Sequence, residues 1–139
     1  AAIRFLPDGD RAYVSLRDEN AVAALDLAAA TVSDKIAVGR GPIQLHATPD
    51  GAFVYVANQG TADVPDNRVS AIDVASGKVV ATITVGAGAH GVATDGEGRQ
   101  IFVTNTADGT VSVIDAVSQT VTATYPVGAG PNGLAYRRE

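Results

Sequence analysis

The sequence of 139 residues predicts an all-β protein made of repeated four-stranded antiparallel sheets. Three observations lead to this prediction: landmarks recur about every 42 residues, apolar runs are short and rich in Val, Ile, Thr and Tyr, and turn residues separate these runs. Helices are not expected, because the best helical candidate, the three alanines at 28–30, corresponds to turn residues in the other two units.

Each repeat begins with a tight turn that is followed by a strand. A Pro-Asp-Gly turn at residues 7–9 recurs at 49–51 and, more loosely as Gly-Glu-Gly, at 96–98. The next strand contains Tyr13, Tyr55 or Phe102. The first two aromatics are 42 positions apart and the last two are 47 apart, so the second unit has five extra residues between Asn58 and Arg68. The turn-forming composition of this insertion predicts a lengthened loop between two strands.

Each repeat continues with a strand that ends in an aspartate, and it closes with a strand that leads into a Val-Gly-x-Gly sequence. The aspartates are Asp26, Asp73 and Asp115. A carboxylate at this position is expected to accept hydrogen bonds from backbone N–H groups of the following turn. A catalytic role is not expected, because a catalytic pair of acids must converge at one point and repetition around a ring spreads them apart.

The four strands of each unit predict its architecture. In the second unit we expect them near residues 43–47, 53–58, 69–74 and 79–85. Four-stranded units of about 40 residues are typical of β-propeller blades. The predicted blades span residues 1–42, 43–89 with the five-residue insertion, and 90–131, and a further inner strand is expected at 132–139.

The motifs resemble those of the YVTN family of β-propeller repeats over essentially the whole chain. The closest match is the segment FVTN at residues 102–105, followed by GTVSVID at 109–115, whereas the segment YVSL at 13–16 departs from the pattern at its last position. The resemblance implies a propeller fold. Its functional implications are broad, because relatives include cell-envelope proteins, scaffolds, and propellers that carry haem or resemble sugar lactonases.

Three blades are too few for a closed ring, since propellers typically have about 4 to 8. We therefore expect an incomplete ring, or a ring completed by oligomerisation, whose partners are the remaining blades or a second copy of the chain. Residues 3–5 and 134–136 both fit the inner-strand slot of the first blade, and they cannot share it. This conflict favours the C-terminal piece of a longer propeller, and the alternative is a dimer with six blades.

Composition excludes several classes of function. The net charge is -5 and the basic residues are scattered, so no basic stripe is present to bind nucleic acid. No apolar run approaches the roughly 18 to 20 residues needed for a transmembrane helix, so membrane insertion is not expected. The sequence has no cysteine, which excludes disulfides, thiolate catalysis and cysteine-based zinc sites.

Polar residues on the inner strands are the first candidates for a ligand site, because these strands line the central channel of a propeller. The candidates at the channel rim are Gln44, His46, His90, Asp95 and Asn132. Two histidines in neighbouring blades could hold haem or a divalent metal. A structural role for both rings is the favoured interpretation, because no acidic or cysteine ligand stands at a suitable spacing. No cofactor and no metal site are therefore expected.

The inserted loop is the candidate contact surface for a protein partner, because binding residues concentrate on loops that a rigid scaffold holds. Its polar residues are Asp63, Asp66, Asn67 and Arg68.

These features predict a non-catalytic binding or scaffold module that uses the rim loops and the central channel. No catalytic residue is assigned, since the sequence lacks a Gly-x-Ser-x-Gly elbow and neither histidine has an orienting partner. A periplasmic, extracellular or cell-surface location is expected from the resemblance. The alternative is part of a cofactor- or substrate-binding propeller similar to the haem-binding propellers of nitrite reductases or to lactonases.

Overall fold

The computed structural model describes residues 1–137 and contains three four-stranded antiparallel sheets that form an open ring of propeller blades. The strands of blade 1 are β1 (Ile3–Phe5), β2 (Arg11–Leu16), β3 (Ala21–Asp26) and β4 (Thr31–Ala37). Those of blade 2 are β5 (Pro42–Ala47), β6 (Phe53–Gly60), β7 (Pro65–Asp73) and β8 (Lys78–Thr84). Those of blade 3 are β9 (Ala89–Thr94), β10 (Gln100–Asn105), β11 (Thr110–Asp115) and β12 (Thr120–Pro126). The predicted all-β fold is thus confirmed, and the only helical segment among residues 1–137 is the single 3-10 turn Arg17–Glu19.

The repeated aspartates stabilise the turn between the third and fourth strands of each blade. Asp26 accepts a hydrogen bond from the backbone N–H of Ala29 (2.9 Å). The two equivalent carboxylates, Asp73 and Asp115, accept in the same way from the serine three residues later, at 2.8 and 2.7 Å. Their predicted structural role is confirmed, since each carboxylate fixes its own turn.

The core lies between the blades, and strand β6 contributes to both interfaces. Val54 and Val56 pack in the cluster between blades 1 and 2, whereas Tyr55 and Ala57 pack in the cluster between blades 2 and 3. Neighbouring side chains of a strand point to opposite faces, so a strand between two sheets must be apolar at every position. All four residues are buried, and each large one contributes roughly 1.5–3 kcal/mol to stability.

The asparagine at the end of the second strand joins consecutive blades. In blade 2, Asn58 donates through Nδ2 to the Arg68 carbonyl (3.0 Å) and to Ser70 Oγ (3.1 Å). Its amide also packs against the backbone of Gly39, where an added Cβ would lie 2.6 Å from the amide group. Blade 3 repeats this contact between Asn105 and Gly86, at 2.7 Å. The glycine of the closing motif is therefore required by packing against the asparagine.

The structure differs from the sequence prediction at the inserted segment. The insertion extends the β6–β7 hairpin instead of forming a loop: Gly60 pairs with Pro65, and the N–H of Thr61 donates to the Val64 carbonyl (3.1 Å). Gly60 has φ 71°, and a Cβ there would lie 2.4 Å from the Val64 carbonyl oxygen, so glycine is needed at this position. Ladder pairing satisfies backbone groups that a loop would leave to solvent.

The further inner strand predicted at 132–139 is not formed in the part of the chain that the structure describes. Residues 131–137 have no strand assignment, and residues 138 and 139 lie outside the described range. A strand needs a neighbouring strand to pair with, and each described sheet already has its four strands. The segment instead contacts blade 3 through the carbonyl of Asn132, which accepts a hydrogen bond from Thr104 Oγ1 (2.9 Å).

The glycine–asparagine contact gives a test of interface packing. Gly86→Ala would place its Cβ 2.7 Å from the Asn105 amide. We expect a loss of about 1–3 kcal/mol in the free energy of unfolding, because the core has no room for the methyl group. Gly133→Ala is the matched control, since nothing lies within 4 Å of its added Cβ. Urea denaturation compares the two variants, and equal midpoints would contradict the proposed packing role.

Candidate functional site

A groove of about 390 Å³ lies against the inner strands of all three blades. We call it the channel groove, and its polar lining consists of Arg4 on β1, Gln44 and His46 on β5, and Thr94 and Asp95 at the end of β9. Residues 134–136 line it as well. The structure thus brings together three of the five predicted channel residues, namely Gln44, His46 and Asp95.

His46 presents a neutral imidazole to this groove. Its Nδ1 lies 3.0 Å from the Ala47 carbonyl oxygen, which can only accept, so Nδ1 carries the proton. Burial lowers the pKa of His46 below its ordinary value, and the positive charge of Arg4 lowers it further. The ring is therefore neutral at pH 7, and Nε2 is left with a free lone pair. This nitrogen can accept a hydrogen bond from a ligand.

Two opposite charges line the channel groove together with His46. Arg4 comes from blade 1 and Asp95 follows the inner strand of blade 3, so they border β5 from its two sides. No ion pair joins the two side chains in the structure of residues 1–137. Asp95 uses its Oδ1 to accept the backbone N–H of Arg99 (2.8 Å), and this bond orients the carboxylate. The groove therefore has a cationic wall, a neutral acceptor and an anionic wall.

His90 and Asn132 lie apart from the channel groove but contact each other. The Nδ1 of His90 is 2.9 Å from the Asn132 carbonyl oxygen, and the same oxygen accepts from Thr104. The contact uses the backbone of Asn132, whereas the sequence prediction concerned its side chain. Such a bond attaches the chain that follows blade 3 to the inner strand of that blade.

The inserted hairpin is held by a buried carboxylate. Asp66 is only 1% exposed and receives two hydrogen bonds from Arg68, at 2.7 and 2.5 Å. It also accepts the backbone N–H of Arg40 from the preceding connection (2.9 Å). Burial alone would raise the pKa of Asp66, but the Arg68 guanidinium and the Arg40 N–H outweigh it and lower the pKa. Asp66 therefore acts inside the molecule, whereas Asp63 and Asn67 are exposed and the Arg68 side chain is 40% exposed.

Arg4 is the main residue of the groove that the sequence prediction omitted. It lies 42 positions before His46 and thus occupies the same place in the repeat, at which the third blade has Ala93. The repeat spacing could have identified it, because equivalent residues on inner strands face the same channel.

Among residues 1–137, no three His, Asp or Glu side chains cluster closely enough to hold a metal ion. Within the same range, the structure contains no helix with the length and apolar character needed to span a membrane.

Comparisons with known proteins agree with the fold. A family model described as YNCE-like beta-propeller matches residues 7–139. The narrower resemblance to the YVTN family stays a prediction. No curated protein shows significant similarity to the chain. Among solved structures, the chain is similar to hydrazine synthase from Kuenenia stuttgartiensis, with a TM-score of 0.86 and 26% sequence identity. The match covers 94% of this chain and 37% of that one, so the chain spans little more than a third of that protein's length.

The buried carboxylate of the hairpin predicts an acid-sensitive contribution to stability. Because the pKa of Asp66 is lowered in the folded state, its contribution is complete above the ordinary aspartate pKa of 3.8 and is lost as the pH falls through the lower folded value. Asp66→Asn should cost about 1–3 kcal/mol at pH 7, because Arg68 and the Arg40 N–H lose a charged acceptor. Asp63→Asn is the control, since Asp63 is exposed on the same hairpin. Urea denaturation at pH 7 and pH 3 would contradict this role if both variants behaved alike.

Proposed function

Because the chain belongs to the YNCE-like β-propeller family, we propose that it is a non-catalytic binding module that holds a small polar ligand in the channel groove. The observation that carries the proposal is a groove that is lined by the neutral His46 together with Arg4 and Asp95, which form no ion pair among residues 1–137. The rim loops, including the exposed residues Asp63 and Asn67, are proposed to contact a protein partner.

The three polar groups define a class of ligand. Arg4 offers N–H donors to an anion, Asp95 offers oxygen acceptors to a cation, and His46 Nε2 accepts one hydrogen bond. A zwitterion with a carboxylate and an ammonium group, such as an α-amino acid, matches all three. Charged hydrogen bonds in a partly desolvated groove are the strong ones, so both ends of the ligand contribute to affinity.

A binding role is favoured over catalysis by the environment of the histidine. In a hydrolytic triad, a carboxylate orients the histidine and a nucleophile lies beside it. The Nδ1–H of His46 instead donates to a backbone carbonyl, and the groove lining contains no serine. His46 is thus suited to hydrogen-bond a ligand.

The free faces of the terminal blades support completion of the ring by further blades. On blade 1, Ile3 and Phe5 are 49% and 57% exposed. They pair with Val14 and Ala12, on the face of the sheet opposite to the packed Tyr13. On blade 3, Tyr125 is 56% exposed. These faces repeat the composition of the faces that pack inside the structure. We propose that they are covered by other blades, supplied by a longer chain or by a second copy.

We propose a periplasmic, extracellular or cell-surface location, which is supported by the resemblance to cell-envelope propellers. A second candidate function is a cofactor- or substrate-binding part of an enzyme, and it is favoured by the similarity to hydrazine synthase. Visible absorbance and metal analysis of the purified protein distinguish the two: a haem spectrum or bound metal would favour the second candidate.

The channel groove should bind glycine more tightly than acetate or methylammonium, each of which carries only one of the two charged groups of glycine. We expect saturable chemical-shift changes at His46 in NMR titrations with glycine, and much weaker changes with acetate or methylammonium. Arg4→Gln and Asp95→Asn should each weaken glycine binding by roughly tenfold, because each removes one charged hydrogen bond. Arg11→Gln is the control, since Arg11 is exposed and pairs with Asp8 outside the groove. Equal binding of acetate, or no effect of Arg4→Gln, would contradict the zwitterion assignment.

The free blade faces should cause association of the 14.0 kDa chain. We expect light scattering to give a mass above that of a monomer, and Phe5→Asp to shift the protein toward the monomer by placing a charge on the free face of blade 1. Val80→Asp is the matched control, because Val80 is 55% exposed but lies on the outer strand of the middle blade. A monomeric parent chain, or equal effects of both substitutions, would argue against this surface.

A further inference from the structure

A second groove, of about 450 Å³, lies at the end of the molecule where the second strands of the blades finish. It is lined by Arg17, Gln59 and Thr106, which follow directly after Leu16, Asn58 and Asn105. These three residues occupy the same position in the three repeats. Each second strand runs antiparallel to its inner strand, so this groove lies on the face of the ring opposite to the turns after the inner strands. We call it the Arg17 groove.

Arg17 is the one charged side chain that lines this groove in the described part of the chain. It is half-buried, and its Nη2 donates to the Gly60 carbonyl (2.9 Å), which holds the guanidinium in place across two blades. No carboxylate lies within ion-pair distance of it among residues 1–137. Arg17 Nη1 also donates to Gln59 Oε1 at 3.5 Å. A guanidinium has five N–H donors, so three of them remain available to an anion.

The remaining lining is small and mostly apolar. It includes Ala62 and Pro65 on the hairpin and Gly88 and Ala107 on blade 3. A single fixed guanidinium beside such walls matches a ligand with one anionic group and an apolar body, and a planar carboxylate fits its fork in a bidentate manner. The groove volume falls within the range of about 300–1,000 Å³ typical of small-molecule pockets.

Both walls of the groove are held by internal bonds. The hairpin wall is fixed by the buried Asp66 and its bonds to Arg68 and the Arg40 N–H. The blade 3 wall is fixed by Thr106 Oγ1, which donates to the Gly88 carbonyl (2.5 Å). A preformed pocket avoids the cost of ordering its walls when a ligand binds.

We propose that the Arg17 groove binds small carboxylates with an apolar body, such as aromatic acids, at a site separate from the channel groove. The guanidinium of Arg17 pairs with the carboxylate, and the apolar body contacts the hairpin and the turn between β10 and β11 in blade 3. This site is independent of the zwitterion site proposed around His46.

The test uses benzoate as the probe and benzamide as its neutral analogue, in NMR titrations of the full 139-residue chain. We expect saturable benzoate shifts at residues of the Arg17 groove and at least fivefold weaker binding of benzamide. Arg17→Gln should weaken benzoate binding by roughly tenfold, because it removes a charged hydrogen bond. Arg99→Gln, on the exposed Arg99–Glu97 pair, should have no effect.

Two further variants keep the test decisive if Arg17→Gln unfolds. Ala62→Trp should fill the groove from the exposed hairpin turn and abolish benzoate binding without touching Arg17. His46→Ala should leave benzoate binding unchanged, which separates this site from the channel groove. Equal binding of benzoate and benzamide, unchanged binding in both Arg17→Gln and Ala62→Trp, or loss of binding in His46→Ala would overturn the proposal.

Discussion

Packing of one blade against the next is the constraint that determines most of the residue types in this sequence. Strand β6 lies between two sheets, so both of its faces must be apolar, and Val54 and Tyr55 serve different interfaces although they are adjacent in sequence. The interface also extends to the strand end, where Asn58 fills the space above Gly39. Tyr55 adds a directional contact, since its hydroxyl accepts a hydrogen bond from Gln119 in the next blade (3.0 Å). Burial drives the association, and these polar contacts fix the register of one blade on another.

The same packing explains where chemical variety is tolerated. Positions inside the interfaces repeat closely from blade to blade, whereas positions that face the channel differ: Arg4, His46 and Ala93 occupy one repeat position. The three equivalent residues Arg17, Gln59 and Thr106 differ in the same way. A residue inside an interface must pack against its own sheet and the neighbouring one, whereas a residue that faces the channel has open space on one side. The ligand contacts proposed for this chain therefore lie where its sequence departs from the repeat.

Much of the fold could be predicted from the sequence, because the repeat, the turns and the apolar strands are local signals. The role of Asp73 followed from turn chemistry, and the strands of blade 2 were located to within a few residues. The site was harder to predict. Arg4 can be identified only by aligning the inner strands of the three repeats. The burial of Asp66 depends on a hydrogen bond from the N–H of Arg40, which is 26 residues away in sequence. The sequence predicts a loop where the structure has an extended hairpin, because the composition of the insertion is typical of a loop. The hairpin forms because hydrogen bonds to residues distant in sequence hold its two strands together.

The β6–β7 hairpin has a further consequence for how this architecture can change. Its added length continues beyond the blade interfaces, and its base is fastened by Asp66, so the turn at residues 61–64 can grow or shrink without disturbing the packed sheets. Lengthening a loop costs little chain entropy, since each doubling adds only about 0.6 kcal/mol. The hairpin tip is therefore a natural grafting point, where evolution or protein engineering could append a foreign recognition peptide to a scaffold that stays folded.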